Sequence, residues 1–277
     1  MDAVVVDRVF FSYDEVPVLK GVSLRVRLGE VLAIMGENGA GKTTLIKHFN
    51  GLLKPKRGRV LVFGVDTREA SVAQLSRKVG IVFQNPDHQL FAESVEKEVE
   101  FALRNMDYPE ERVKERVEQV LKLLDLEKYK SRSPYSLSVG ERKRLTIAAI
   151  LSYDPDVLVL DEPTAGQDFI NKMRIKGLIE SLKAQRKAVV IVTHDVEFAA
   201  QTADRVVLMV SGEIVCEGPA REILTAPELV MKSRLLMPQI AYSALLLRKR
   251  GVALPDTPML PDELCSELIK LVRQNVA

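Results

Sequence analysis

The segment Gly36-Glu37-Asn38-Gly39-Ala40-Gly41-Lys42-Thr43 constrains this chain more than any other feature of it. It fits the pattern G-x-x-x-x-G-K-[ST], and it follows an apolar run at 30–36 that reads as a fully buried strand. A helix to about Phe49 is expected after it. A strand feeding a glycine-rich turn and then a helix makes successive backbone N–H groups converge, and the positive helix end points the same way. Such a turn cradles nucleotide phosphates. Lys42 is placed to reach the β- and γ-phosphates and the Thr43 hydroxyl to hold magnesium, with Gly36, Asn38, Gly39, Ala40, Gly41 and Thr44 as further nucleotide-binding candidates.

The remaining hydropathy pattern supplies an α/β frame for that turn. Residues 3–13 and 18–28 alternate, which makes the opening strand-rich, and a strand at Arg59–Phe63, a short helix near 71–77 and an apolar strand at Val79–Phe83 follow. From about 85 to 155 the pattern turns helical. Pro109 suits a first helical position, and Val113, Val117, Val120, Leu121 and Leu124 form one apolar face. Val157–Leu160 and Val189–Thr193 are continuous β-branched runs, as in a parallel sheet covered on both faces. Arg205–Val210 and Glu213–Cys216 read as a hairpin joined by Ser211-Gly212. Beyond Gly218-Pro219 the chain is helical and punctuated by Pro227, Pro238, Pro255, Pro258 and Pro261, a small separate region.

The strand ending at Asp161-Glu162 delivers two carboxylates to the sheet edge at which ligands bind in such folds. By itself an apolar strand ending in Asp-Glu suits a mere strand cap; a phosphate loop upstream reverses that preference. Asp161 is then placed to bind magnesium through water, and Glu162 to orient and polarise the attacking water.

Leu137-Ser138-Val139-Gly140-Glu141, opening a helix before the carboxylate strand, resembles the signature loop of ABC-type ATPases. Gln84 resembles that family's Q-loop glutamine, which senses magnesium and the water and links to the membrane partner. His194 matches its switch histidine, Ala165-Gly166-Gln167-Asp168 its D-loop, and Tyr13 its adenine-stacking aromatic. Read singly, Gln84 is a polar strand end, His194 a neighbour of a helix cap, Tyr13 a half-buried strand aromatic and Ser138 an ordinary N-cap. Their joint order, over about residues 3–218, favours the family. The resemblance implies a P-loop NTPase of the ABC ATPase type: a RecA-like parallel-sheet core, an N-terminal antiparallel β-subdomain and a helical insertion at about 85–155. An ABC ATPase domain would span 1–218 and a C-terminal helical extension 219–277. It implies ATP and Mg2+ as ligands, with Glu162, His194 and Gln84 catalytic, and Thr43, Gln84 and Asp161 at the metal. Ser138, Gly140 and Asp168 would serve ATP across a subunit interface. Each ATP would be sandwiched in a homodimer, or in a heterodimer with a related ATPase subunit.

Three positions depart from the family pattern. Val139 stands where glycine is commoner, and if that position needs positive φ the β-branched side chain costs about 1–2 kcal/mol. Glu141 replaces glutamine at a helix start meant for a phosphate, and Gln167 replaces leucine in the D-loop. The expectation is a working ATPase with scope for slow turnover. Phe83-Gln84-Asn85-Pro86-Asp87-His88-Gln89-Leu90-Phe91 resembles the corresponding segment of energy-coupling-factor and cobalt/nickel importer ATPases. Leu236-Met237-Pro238-Gln239-Ile240-Ala241, with Gly251 and Pro255, is similar to that group's extension, for which a part in subunit pairing is expected. The resemblance implies a transmembrane scaffold subunit docking near Gln84–Phe91 and a separate membrane substrate-binding subunit. Leu90 and Phe91 either offer apolar area to that docking helix or belong to the chain's own core.

Composition removes several competitors. Forty basic and thirty-eight acidic residues give a net charge of +2, which demands neither nucleic acid nor an anionic surface. Two cysteines, Cys216 and Cys265, without metal or redox spacing suit a reducing compartment. The N-terminus lacks a signal-peptide pattern, and no apolar stretch approaches the ~20 residues that span a bilayer. A peripheral location on the cytoplasmic face of the cell membrane is expected, with no nucleic-acid partner. The alternative, a soluble ABC ATPase acting on nucleic acid or ribosomes, usually carries a long coiled-coil insertion or tandem ATPase units, and this sequence has neither. A non-hydrolysing regulator is disfavoured by Glu162 and His194. The leading expectation is an importer ATPase for a vitamin or a transition-metal ion such as cobalt or nickel.

Overall fold

The computed structural model describes residues 1–254 and 257–276, so Pro255 and the final residue of the 219–277 stretch lie outside the described residues. Strands β1 (Asp2–Tyr13) and β2 (Val16–Arg27) pair antiparallel; β3 (Val31–Met35) and α1 (Lys42–Lys47) follow, then β4 (Arg57–Val62) and β5 (Val65–Asp66). β1, β2, β4 and β5 form one antiparallel sheet in the order β2-β1-β4-β5. The alternation seen in the sequence explains its one-sided burial. Val4 pairs with Val26 and Val6 with Leu24, all four buried, whereas Arg25 projects outward to Asp2.

After α2 (Val72–Ser76), which Ser71 and Gln74 close with a reciprocal capping box, comes β6 (Val79–Val82). The helical stretch contains α3 (Val95–Asn105), α4 (Glu110–Leu123) and α5 (Val139–Leu151). Pro109 sits one residue earlier than expected, as the N-cap of α4, with ψ 144 that is incompatible with a helical turn. Next come β7 (Val157–Asp161), α6 (Phe169–Ala184), β8 (Ala188–Thr193), α7 (Val196–Thr202), β9 (Arg205–Val210) and β10 (Glu213–Pro219). The β9–β10 turn has positive φ at both Ser211 and Gly212, the geometry whose twist suits a two-residue hairpin. The chain closes with α8 (Ala220–Leu224), α9 (Pro227–Lys232), α10 (Gln239–Lys249) and α11 (Pro261–Val276).

Among the described residues the second sheet has six strands in the order β10-β9-β3-β8-β7-β6, parallel except for the β9–β10 pair. Its central strands are buried on both faces, which is why their sequences run apolar without alternation. One apolar cluster fills the space between the two sheets and seats α1 through Leu45 and Ile46, with Phe49 just beyond its end, all three fully buried. Each such side chain stabilises the fold by about 1.5–3 kcal/mol, so the helix behind the glycine turn is firmly anchored. A second cluster joins α3, α4, α5 and α6 to the opposite face. A third packs Ile223, Leu224 and Val230 of α8 and α9 on Met35 and Leu208.

Register decides what meets at the sheet edge. Met35 lies beside Thr193 and Leu208, Asp161 beside Val192, and Val82 beside Leu160. The residues that follow β3, β6, β7 and β8, namely Gly36, Gln84, Glu162 and His194, therefore emerge along one edge of the parallel sheet.

Candidate functional site

The glycine turn is shaped by its neighbours as well as by its own sequence. Gly36 has φ 145, and a Cβ there would lie 2.1 Å from the Met209 carbonyl oxygen, so β9 excludes any other residue. The β9–β10 hairpin also holds the turn, since Gly212 N–H donates to Ala40 O at 3.1 Å. Gly41, with φ 97, is the N-cap of α1. The first N–H groups of α1 have no intrahelical acceptor and face the turn. A cleft of about 400 Å³ opens there, lined by Asn38 to Thr44, Val18, Gln84, Asp161 and Glu162.

Lys42 is buried at the floor of this cleft. Its ammonium donates to Gly36 O at 2.7 Å and Glu37 O at 2.9 Å. Burial lowers its pKa, while Glu162, Asp161 and Glu37 act in the opposite sense. Thr43 Oγ1 donates to Asp161 Oδ2 at 2.9 Å. Asp161 is 2 % exposed, and burial raises its pKa despite the Thr43 hydrogen bond. A hydroxyl beside one buried carboxylate fits magnesium, which keeps water and phosphate oxygens in most of its coordination sphere. Among the described residues no three His, Cys, Asp or Glu side chains gather into a cage for another metal.

Consecutive residues of a strand point to opposite faces, yet Asp161 and Glu162 line the same cleft. Glu162 has φ 46, a left-handed kink just beyond β7 that swings its side chain to the Asp161 side. The kink costs about 1–3 kcal/mol and is held by Glu162 N–H donating to Val192 O at 2.8 Å. His194 Nδ1 lies 2.9 Å from Glu162 Oε1, and Thr193 Oγ1 donates to Oε2 at 3.3 Å. A carboxylate only accepts, so Nδ1 carries the proton in this pair. Gln84 has an exposed side chain at the other wall.

The structure divides the site residues expected from the sequence. Gly36, Asn38, Gly39, Ala40, Gly41, Lys42, Thr43, Thr44, Gln84, Asp161, Glu162 and His194 come together around the cleft. Tyr13 does not line it; it stands 44 % exposed at the β1–β2 turn, with its ring edge on Phe11, whose own edge meets His48 after α1. Ser138, Gly140 and Asp168 lie apart from the cleft, at a second locus. There Ser138 caps α5, Asp168 caps α6, and a Cβ at Gly140 would come within 3.2 Å of Gln167 and Asn171.

The three departures can be located. Val139 is the first residue of α5 and has no positive φ, so the strain expected there does not arise. Glu141 completes a capping box with Ser138 and accepts the Tyr129 hydroxyl, whose hydrogen bond with those from Ser138 holds its carboxyl at about 2. Gln167 buries both amide atoms without a hydrogen-bond partner. The two readings of Leu90 and Phe91 divide between the residues. Leu90 is 3 % exposed in the core, whereas Phe91 is 57 % exposed and edge-on to Phe101.

Sequence reasoning passed over Lys143, Val18 and Arg234. Lys143 is 2 % exposed, and burial lowers its pKa to about 8 against the pull of Asp161 and Glu162. Its signal was a lysine in register with Ile147 and Leu151, a basic residue on an apolar helix face. Arg234 Nη1 pairs with Glu37 at 2.7 Å, a contact between distant segments with no local pattern to announce it.

Residues 19–165 match the family model described as ABC transporter. The energy-coupling factor transporter ATP-binding protein EcfA of Methanocaldococcus jannaschii is 40% identical over 244 residues, 87% of this chain and 88% of that protein. Among solved structures, cbiO1 from Clostridium perfringens, part of the ABC transporter complex cbiONQ, superposes with a TM-score of 0.75 at 35% identity, covering 87% of this chain and 98% of that one. An ATP-binding cassette in a dimeric post-hydrolysis state with ADP and Pi superposes with a TM-score of 0.71 at 29% identity, covering 79% and 99%. The chain spans 40% and 38% of the length of two Methanosarcina relatives named as ABC transporter ATP-binding proteins.

Proposed function

Because the chain belongs to the ABC transporter family, we propose that it binds and hydrolyses ATP as the motor subunit of a membrane importer of the energy-coupling-factor type. The observation that carries the reading is the convergence of Lys42, the Thr43–Asp161 pair and the kinked Glu162 with its His194 partner on one cleft. Magnesium held by Thr43 and Asp161, with Gln84 beside it, would neutralise charge developing on the β- and γ-phosphate oxygens. Lys42 and the turn N–H groups bind the triphosphate. Glu162 accepts a hydrogen bond from the attacking water and aims it at the γ-phosphorus, and His194 fixes the carboxylate that does so.

Separation of Ser138, Gly140 and Asp168 from this cleft supports a pocket completed by a second subunit, with α5 of each aimed at the other's ATP. A relative resolved as a dimer with ADP and Pi agrees with that arrangement. The partner would be a second copy or a related ATPase subunit. Exposed Phe91, next to Phe101, would meet a helix of the transmembrane scaffold near Gln84, and a separate membrane protein would bind the vitamin or transition-metal ion. Among the described residues no helix is long and apolar enough to cross a membrane. Attachment at the cytoplasmic face would come through the scaffold subunit.

Phosphate release by the purified chain tests the enzymatic part. Magnesium-dependent turnover that drops at least about a hundredfold in Glu162→Gln, with ATP still bound, is the expected result. Equal turnover in the variant would remove Glu162 from the chemistry.

A further inference from the structure

Lys143, Ile147 and Leu151 share the buried face of α5, and Lys143 is the one charged group among them. Its ammonium reaches three main-chain oxygens: Phe83 O at 2.8 Å, Gln84 O at 3.0 Å and Asp161 O at 3.1 Å. An ammonium has three N–H donors, and these carbonyls use all of them. Two of the acceptors belong to the turn that leaves β6 and carries Gln84. The third ends β7, at the residue whose side chain meets Thr43. The preceding residue grips the far side of the same turn. Arg142 Nη1 donates to Leu137 O at 2.8 Å, and its Nε lies 3.0 Å from Asp87 Oδ1, an ion pair without hydrogen-bond alignment.

These contacts join elements with separate tasks. The start of α5 presents Ser138, the turn at 83–87 carries Gln84, and the end of β7 carries Asp161 and Glu162. Main-chain oxygens make the connection, so it is independent of what the Gln84 and Asp161 side chains do. Without the ammonium, three acceptors would need new donors, and the turn, whose Gln84, Asn85 and Asp87 are exposed, would keep its Gln89 hydrogen bonds at the end of β6 and the Arg142–Asp87 pair but lose its direct tie to the end of β7.

We propose that Lys143 is a positioning residue for ATP hydrolysis: by holding the carbonyls of Phe83, Gln84 and Asp161 together it sets the Gln84 turn against the carboxylate strand and makes both follow α5. The proposal rests on the reading of the chain as an ATPase. It assigns Lys143 no contact with ATP, so its loss changes the rate more than the affinity.

The test compares Lys143→Met, which removes every donor at similar volume, with Lys143→Gln, which keeps two, against the wild-type chain. Turnover under saturating magnesium-ATP is measured beside ATP affinity by titration with a fluorescent ATP analogue. The expected result is a graded loss, about ten- to hundredfold in kcat for Met and less for Gln, with Kd within about threefold of wild type. Unchanged kcat in both variants, or kcat and affinity falling together, would overturn the proposal. If the Met variant does not fold, the Gln variant decides by the same criteria. A wild-type chain without magnesium-dependent turnover would instead bring down the ATPase reading, and this inference with it.

Discussion

Replacing Gly36 by alanine should damage the site far more than the same change at Gly39. At Gly36 the added Cβ would lie 2.1 Å from Met209 O, about 1.2 Å inside an ordinary C···O contact of about 3.3 Å. Relieving that overlap costs about 1–3 kcal/mol, and φ 145 adds a similar amount for any residue with a Cβ. The sum, about 2–6 kcal/mol, corresponds to a fall in Tm on the order of 10 °C for a chain of this size. The displaced loop starts at the carbonyl that Lys42 holds at 2.7 Å, and a shift of about 1 Å there should weaken ATP binding more than tenfold. Gly39 has φ 83, but nothing lies within 4 Å of its Cβ, so Gly39→Ala carries only the conformational term of about 1–2 kcal/mol. Thermal unfolding and ATP titration of the two variants side by side provide the assay. A Gly36→Ala protein no less stable than Gly39→Ala would refute the claim that β9 dictates this glycine.

Three further outcomes follow from single contacts. Leu90→Ala should cost about 2–5 kcal/mol in denaturant unfolding and Phe91→Ala under about 1 kcal/mol, because Leu90 is buried and Phe91 is not; the reverse order would undo the division between core and surface. Glu141, held at about 2 against an ordinary 4.5, contributes stability that is complete above pH 4.5 and is lost as pH falls through about 2. The stability difference between wild type and Glu141→Gln should therefore be flat above about pH 5 and shrink below it, and a difference that grows on acidification would contradict the capping-box geometry. Val139→Gly should leave turnover within about twofold of wild type, since Val139 occupies an ordinary helical position; a large gain would restore backbone strain as a brake.

Much of the frame was legible because it depends on local pattern. Alternation marked β1 and β2, continuous apolar runs marked β3, β7 and β8, and Ser211-Gly212 marked the hairpin. The short β5, Val65–Asp66, escaped notice because two residues carry no period. At the site, spacing located Lys42, Thr43, Asp161 and Glu162, but the kink that turns Glu162 toward Asp161 is imposed by β8 and has no sequence mark. Glu141 looked like misplaced charge against the family pattern, although Ser138-x-x-Glu141 is a local capping-box spacing; only its second partner, the Tyr129 hydroxyl, comes from another segment. Lys143 announced itself only as a lysine on an apolar helix face; its acceptors are main-chain oxygens of the turn after β6 and of the last residue of β7, whose approach only the folded chain reveals.

The central claim is that a triphosphate bound at Lys42 is closed over by Ser138 of a second subunit. Light-scattering mass of Glu162→Gln, saturated with magnesium-ATP, alone or with a co-expressed related ATPase subunit, tests it most directly. A paired species is expected that forms with ATP, fails to form without it, and is abolished by Ser138→Arg. A mass that stays that of one chain at full ATP occupancy under both conditions would contradict it.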